Sequence, residues 1–122
     1  MEWNFRSDQP IYSQLMQRLS EAIVSGIYAP GEKLPSVREL AVEAGVNPNT
    51  VQRALADLER EGLVFSQRTA GRFVTENENM ITNAKLRLAD ERVEEFLRSM
   101  KTLGCSKEEV IALIARAKEE EK

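Results

Sequence analysis

Residues 34–62 read LPSVRELAVEAGVNPNTVQRALADLEREG, and this stretch contains two helix starts separated by a tight turn. Ser36 and Glu39 have the spacing of a capping box, in which the serine oxygen accepts from the third helical residue and the glutamate reaches back. They predict a short helix over about residues 37–43. Gly45 is expected to end it, because glycine readily adopts the left-handed conformation that follows a helix.

A second helix is expected from Pro48 to about residue 61, with Asn47 as its N-cap and the proline in the first helical position. At about 100° per residue, its two faces differ in composition. The apolar face carries Val51, Ala54, Leu55 and Leu58, and the opposite face carries Asn49, Gln52, Arg53, Ala56 and Arg60. Amide and guanidinium groups match the hydrogen-bonding pattern of the major groove. The pair predicts a helix-turn-helix over about residues 36–55; an ordinary polar surface helix is the alternative, and the double cap with a short turn argues against it.

The chain after Gly62 predicts a β-hairpin. Two short β-prone runs, LVFSQ and RFVT, flank the turn RTAG. A hairpin directly after a helix-turn-helix makes a winged helix, with the wing at about residues 63–75. Arg68 and Arg72 lie near its tip, where cationic side chains suit minor-groove or phosphate contact.

Three of these motifs, LPSVRELA, VNPNTVQRAL and LEREGLV, resemble the DNA-binding domain of the GntR family of bacterial transcription regulators. The wording VNPNTV in a chain this short resembles its YtrA-type branch. The resemblance covers about residues 9–76 and implies an α+β, mostly α fold: a winged helix-turn-helix DNA-binding domain at residues 1–76 and a helical dimerisation region at residues 77–122. The family usually has two glycines near the wing tip; here Thr69 takes the first position and only Gly71 remains.

Two basic residues flank the start of the helix-turn-helix. Lys33 lies in GIYAPGEKLPS, which is expected to be a loop, and it is either solvated or in reach of a phosphate. Arg38 matches the arginine that the family has in SVREL and is carried over as a phosphate or base contact. A salt bridge to a neighbouring acid is the alternative for Arg38.

The second helix and the wing supply the expected DNA-binding site. Asn49, Gln52 and Arg53 are the expected base readers, while Asn47 and Thr50 are expected near phosphates as cap and first-turn groups. The complete expected set is Ser36, Arg38, Asn47, Pro48, Asn49, Thr50, Gln52, Arg53, Arg68, Thr69, Gly71 and Arg72.

The N-terminal segment is expected to anchor on this domain. Trp3 and Phe5 predict a hydrophobic tether, with a short strand as the alternative. Asp8 or Gln9 is expected to cap a helix with Pro10 in its first turn. The apolar stripe of that helix is assigned to the core and comprises Ile11, Tyr12, Leu15, Leu19, Ala22 and Ile23.

The C-terminal region predicts two helices after a polar linker at residues 76–79. The first covers about residues 80–103 and ends at Gly104, and a capping box of Ser106 and Glu109 opens the second, which reaches about residue 118. Two short amphipathic helices cannot bury their apolar faces on each other alone, so a homodimer is expected. Its expected contacts are Leu86, Val93, Phe96, Leu97, Met100, Val110, Ile111 and Ile114.

Charge and composition restrict the class of protein. The net charge of −3 disfavours non-specific nucleic-acid binding, yet residues 44–56 and 62–75 contain arginine and no acid, while acid collects elsewhere, notably at Glu119, Glu120 and Glu121. With no histidine, one cysteine and no glycine-rich phosphate loop, no enzyme, cofactor or metal is expected. Cys105 precedes a helix start; a half-buried structural role is favoured over redox sensing. The absence of a long apolar run or signal peptide predicts a cytoplasmic protein.

Together these patterns predict a sequence-specific DNA-binding transcriptional regulator, a repressor, that binds a palindromic double-stranded operator as a homodimer. The helix from Pro48 enters the major groove, and the wing lies on the minor groove or backbone. An unknown small-molecule effector stays open; the two C-terminal helices are too small to enclose a ligand pocket of about 300–1,000 Å³, so an effector would sit at the dimer interface or between the domains. A protein-interaction module is the alternative, but it has no reason to keep acid out of both helix and wing.

Overall fold

Five helices and two strands follow one another along residues 1–118, the part of the chain that the computed structural model describes. Their order is α1 (Ile11–Val24), α2 (Val37–Ala44), α3 (Pro48–Arg60), β1 (Val64–Gln67), β2 (Gly71–Val74), α4 (Glu78–Lys101) and α5 (Lys107–Arg116). The predicted α+β, mostly helical class is confirmed. The glutamates at positions 119, 120 and 121 lie outside the described residues. The chain divides into two compact units, Met1–Lys85 and Leu86–Lys122.

The core of the first unit lies between α3 and the elements packed around it, which are α1, α2 and β1. The predicted apolar face of α3 is confirmed, because its four members, Val51, Ala54, Leu55 and Leu58, are all buried. From α1 the core receives Leu15, Leu19, Ala22 and Ile23. The sequence places Ile11 there too, but it is 39% exposed, because it occupies the first position of α1, at the open end of the helix. Tyr12 is only half-buried at the edge of the core.

The start of α1 differs from the expectation. Pro10 itself is the N-cap and no side chain caps the helix, so the prediction of Asp8 or Gln9 as cap is wrong. The carboxylate of Asp8 instead pairs with Arg6 at 2.7 Å. The buried Gln14 side chain binds the N-terminal segment. It accepts a hydrogen bond from the Arg6 backbone N–H at 2.6 Å and donates to the carbonyls of Arg6 and Gln9 at 2.8 and 3.0 Å. The Gln14 amide thus satisfies backbone groups of the segment that precedes α1, and it does not cap the helix.

The hydrophobic tether at the N-terminus is confirmed, and no strand forms there. The rings of Trp3 and Phe5 stack with centroids 6.0 Å apart and pack against the core. The indole Nε1–H of Trp3 donates to Glu43 at 2.9 Å, which ties the tether to α2.

The wing is an antiparallel hairpin in which Val64 pairs with Val74. The connection before α2, expected to be a loop, also contributes to it: Lys33 forms a bridge with Phe73. The N–H of Leu34 donates to the carbonyl of Arg72, and the N–H of Val74 donates to the carbonyl of Glu32, both at 2.9 Å. This short extended segment fixes the hairpin to the residues that lead into α2.

The polar linker is shorter than expected, because α4 already begins at Glu78. The side-chain oxygen of Asn77 accepts from the N–H groups of Asn79 and Met80 at 3.0 and 3.2 Å, which satisfies backbone donors of the first turn. Ala84 is buried and Ile81 packs against the core, so the first turns of α4 belong to the first compact unit.

The second unit contains the rest of α4 and α5. The predicted capping box is present: the Ser106 hydroxyl accepts from the Glu109 N–H, and the Glu109 carboxylate accepts from the Ser106 N–H, both at 3.1 Å. Cys105 is half-buried in the turn between the helices, as expected. Within residues 1–118, no helix has the length and apolar character needed to span a membrane.

Candidate nucleic-acid interface

The N-terminus of α2 is closed by both bonds of the predicted capping box. The hydroxyl of Ser36 accepts from the N–H of Glu39 at 3.1 Å, and the carboxylate of Glu39 accepts from the N–H of Ser36 at 3.0 Å. Both bonds lower the pKa of Glu39, and the bond from the Ser36 backbone N–H has the larger effect. Arg38 is exposed and makes no hydrogen bond or ion pair within residues 1–118, so the structure does not provide the salt bridge considered as its alternative role.

The turn and the start of α3 have the predicted form. Gly45 ends α2 with a φ of 67°, in the left-handed region. The side-chain oxygen of Asn47 accepts from the N–H of Asn49 at 2.8 Å, and Pro48 takes the first helical position. Thr50 is half-buried. The expected base-reading side chains of Asn49, Gln52 and Arg53 are all exposed.

Arg53 lies against a residue of α1 that the sequence pattern assigns to the core. Its guanidinium carbon is 3.8 Å from the centroid of the Tyr12 ring, a cation–π contact. The Tyr12 hydroxyl donates a hydrogen bond to the carboxylate of Asp57, one turn further along α3. That bond is the main reason why the pKa of Tyr12 is raised and the pKa of Asp57 is lowered. We call Tyr12, Arg53 and Asp57 the Tyr12 cluster.

The acids in the second half of α3 are paired with neighbouring groups. Arg60 lies 2.5 Å from the carboxylate of Asp57. Glu59 accepts a hydrogen bond from the Ser66 hydroxyl at 2.6 Å and lies 3.5 Å from Arg72 Nε. Local pairing therefore reduces the negative potential that these carboxylates would present to a polyanion.

The wing tip is a three-residue turn between the paired residues Gln67 and Gly71. Arg68, Thr69 and Ala70 form it, all three are exposed, and the N–H of Ala70 donates to the carbonyl of Gln67 at 2.7 Å. Arg68 has a φ of 21° and Gly71 a φ of 108°. Thr69, at the position where the family usually has glycine, has an ordinary negative φ, so the hairpin turns with one glycine.

Arg72 is paired with an acid of α3. Its side chain is 22% exposed, and its Nε lies 3.5 Å from the carboxylate of Glu59. Of the two wing arginines, Arg68 alone is exposed at the turn. Arg72 thereby holds the wing against α3.

The wing and the start of α2 border a common cavity of about 310 Å³. It brings together expected site residues that lie far apart in sequence, since Ser36 lines it from α2 while Thr69, Gly71 and Arg72 line it from the wing. Lys33 also lines it, and its side chain passes close to Gly71, where an added Cβ would come within 3.1 Å of the lysine Cε. A cationic amine therefore sits beside the wing turn.

The residues expected to form a dimer interface belong to the second unit, and their exposure differs. Leu86, Val93, Phe96, Ile111 and Ile114 are exposed, by 43–59%. Leu97 and Met100 are half-buried. Val110 is 2% exposed, so it is already buried within its own protomer and is not available to a partner. Sequence periodicity places Val110 on the same face as Ile114, but it cannot tell which part of that face packs on the same chain.

The contribution of Tyr12 to this surface was not predicted from the sequence. The spacing of the α1 stripe puts Tyr12 at the edge of the apolar face, where a phenol can pack its ring and still reach a polar partner. This edge position was the sequence signal that could have identified Tyr12 as part of the surface. Its partner on α3, 45 residues away, could not be identified from spacing.

Comparison with known proteins gives consistent matches. The profile of the family described as "Bacterial regulatory proteins, gntR family" matches residues 11–74. Over 111 residues the chain is 40% identical to the uncharacterized HTH-type transcriptional regulator YhcF of Bacillus subtilis, covering 91% of this chain and 92% of that protein. It is 41% identical over 93 residues to the HTH-type transcriptional repressor YtrA of the same organism, covering 75% and 72%.

Solved structures show the same fold. A GntR family transcriptional regulator from Listeria monocytogenes superposes with a TM-score of 0.84 at 38% identity, covering 93% of this chain and all of that one. The DNA-binding domain of AraR in complex with operator ORE1 superposes with a TM-score of 0.53 at 31% identity, covering 62% of this chain and 94% of that one.

Proposed function

The chain belongs to the GntR family of bacterial DNA-binding transcriptional regulators, and from this premise we propose that it is a repressor that binds a palindromic operator as a homodimer. The observation that carries the proposal is the surface of α3. From Pro48 to Ala56 this helix contains no acid, and apart from Pro48 its exposed side chains there are two amides and a guanidinium. In the major groove such groups read base edges.

The remaining contacts follow from this docking. Asn49, Gln52 and Arg53 read bases, and the N-terminal end of α3, with Asn47, Pro48 and Thr50, approaches the phosphate backbone. Ser36 and Arg38 contribute from the start of α2. At the wing, Arg68 reaches the minor groove or backbone beside Thr69 and Gly71, while Arg72 acts mainly by holding the wing on α3. The AraR domain, a relative solved with an operator, supports the choice of DNA as the partner.

The exposed apolar residues of α4 and α5 are proposed to meet a second copy of the chain. In the described part of the second unit, only Val110 among the large apolar side chains is buried. Leu86, Val93, Phe96 and, on α5, Ile111 present apolar surface that a monomer would leave in water. A two-fold dimer covers this surface and repeats the reading helix, which predicts half-sites about 10 bp apart or more.

Repression is proposed from the named repressor YtrA, to which the chain is 41% identical over 93 residues. A regulator of bacterial transcription works where the chromosome lies, which places it in the cytoplasm. No small-molecule effector is assigned to the protein. The cavity of about 310 Å³ lies between the wing and α2, not in the C-terminal helices.

Selection of binding sites from a random duplex pool tests the DNA-reading function. We expect an enriched palindrome whose affinity falls with salt, because cations that contact phosphates release counterions on binding. Arg53→Ala should reduce the preference for the operator over a base-pair variant by about 1–3 kcal/mol. A folded protein that enriches no sequence, or an unchanged preference in Arg53→Ala, would contradict the respective assignment.

The dimer is tested separately by Phe96→Asp, which places a charge among the exposed apolar residues. Its mass by light scattering should fall from dimer to monomer, and its affinity for the full palindrome should fall toward that for a half-site. Val42→Asp is the matched control, because Val42 is 79% exposed on α2, outside the proposed interface. Equal mass for both variants would contradict the interface.

A further inference from the structure

We propose that Tyr12 of α1 is a positioning residue for DNA sequence reading, because its ring holds the guanidinium of Arg53 in place on the reading face of α3. The inference rests on the proposed function, in which Arg53 reads bases. It assigns a specificity role to a residue that lies outside both the helix-turn-helix and the wing.

The Arg53 side chain is held in place in the absence of DNA. An exposed arginine loses much rotamer freedom when it docks on a base pair, and that loss weakens the contact. Here the guanidinium carbon lies 3.8 Å from the Tyr12 ring centroid, so the group is stacked before DNA arrives. Within residues 1–118 Arg53 makes no hydrogen bond or ion pair. Stacking uses the face of the guanidinium and leaves its N–H edge available to a guanine.

The Tyr12 ring is itself fixed. The Tyr12 hydroxyl donates to Asp57, and Asp57 is paired with Arg60 at 2.5 Å. Asp57 lies four residues after Arg53, so one phenol spans one turn of α3, contacting the arginine with its face and the carboxylate with its hydroxyl. Further along, α1 is anchored by Leu15 and Leu19, both fully buried.

The arginines of α3 and the wing differ in how they are held. Arg60 and Arg72 form ion pairs with Asp57 and Glu59 respectively. Arg53 is held instead by the contact between the face of its guanidinium and the Tyr12 ring. On α3 itself, Arg60 thus neutralises an acid of the helix, whereas Arg53 is presented with its N–H donors unused.

The experiment measures discrimination, the ratio of affinity for the selected operator to affinity for a duplex changed at the base pair whose preference Arg53→Ala loses. Tyr12→Leu removes the ring and should reduce this ratio by about two- to five-fold, the range of an exposed cation–π contact. Tyr12→Phe keeps the ring on α1 but removes its hydrogen bond to Asp57, so its ratio should lie between those of the wild type and Tyr12→Leu. Ile11→Ala, at the neighbouring exposed position of α1, is the matched control and should leave the ratio unchanged.

A double variant separates positioning from a general effect on folding. If the ring acts through Arg53, Tyr12→Leu should have no further effect on the ratio in the Arg53→Ala background. A destabilised but correctly reading protein would lose affinity for both duplexes equally, and circular dichroism with thermal unfolding monitors the fold.

The outcomes distinguish the inference from the proposed function. If Arg53→Ala loses discrimination while Tyr12→Leu keeps it, the inference fails and the DNA-reading function stands. If Tyr12→Phe loses as much as Tyr12→Leu, the assignment to the ring is overturned. If Arg53→Ala itself keeps full discrimination, the base-reading role of Arg53 fails and the inference fails with it.

Discussion

Gly62, between α3 and the wing, is the position where one added methyl group should report on how the first turn of α4 packs within the first compact unit. Its φ is 83°, in the left-handed region, and a Cβ placed there would overlap the methyl end of Met80 in the first turn of α4. Gly26, at the end of α1, has a φ of 87°, and a Cβ added there would meet nothing within 4 Å. Alanine at the two sites therefore has the same backbone cost and differs only in the contact with Met80.

The two magnitudes follow from this difference. A left-handed L-residue costs about 1–2 kcal/mol, while the reduced freedom of alanine in the unfolded chain returns about 0.4–1 kcal/mol. Gly26→Ala should thus lower the free energy of unfolding by about 1 kcal/mol. Gly62→Ala adds an overpacking cost of about 1 kcal/mol, the low end of the usual range because the methionine end is flexible, for a total of about 2 kcal/mol.

The assay is urea unfolding followed by circular dichroism at a fixed protein concentration, which keeps any dimer contribution constant. Met80→Ala provides the cycle: measured against Met80→Ala alone, Gly62→Ala should cost only about 1 kcal/mol, as at Gly26. Equal losses at Gly26 and Gly62 in the wild-type background would refute the close packing of Met80 on Gly62. If Gly62→Ala still costs more stability than Gly26→Ala in the Met80→Ala background, the contact with Met80 is not the cause of the extra loss.

Four further outcomes are expected. Leu58→Ala, at a fully buried site of α3, should lower the free energy of unfolding by about 2–5 kcal/mol, whereas Val42→Ala, 79% exposed, should stay within about 0.5 kcal/mol. Ser36→Ala should cost about 1 kcal/mol in urea unfolding at neutral pH through loss of the cap. Arg68→Ala should weaken binding to all duplexes and flatten the salt slope, while Thr69→Ala should preserve that slope. Tyr12→Phe should raise the pKa of Asp57 toward 3.8 in an NMR titration, because it removes the hydrogen bond that lowers this pKa. A carboxyl pKa lowered in the folded state contributes stability that is present above the unfolded-state pKa and is lost as the pH falls through the folded-state pKa. The variant should therefore lose less stability on acidification than the wild type.

Much of the candidate site could be predicted from sequence because its geometry is made by short-range bonds. The caps at Ser36 and Asn47 join groups two or three residues apart, and the glycine that ends α2 acts on its own dihedral angles. The apolar face of α3 follows from helical periodicity alone, and with it the exposed positions of Asn49 and Gln52. These signals act within short segments of the chain, so the sequence by itself determined the helix-turn-helix and the exposed polar face of α3.

Only the tertiary structure decided which polar side chains meet. The contacts of Tyr12 with α3 depend on where two helices cross, and the ion pair of Glu59 with Arg72 depends on how the hairpin folds back on α3. In the second unit, spacing places Val110 and Ile114 on the same face of α5, yet Val110 is buried and Ile114 is exposed. Burial there depends on packing against the neighbouring helix and not on spacing. A side chain's spacing along the chain fixes its direction on its own element, whereas its partner is set by the packing of elements that are distant in sequence.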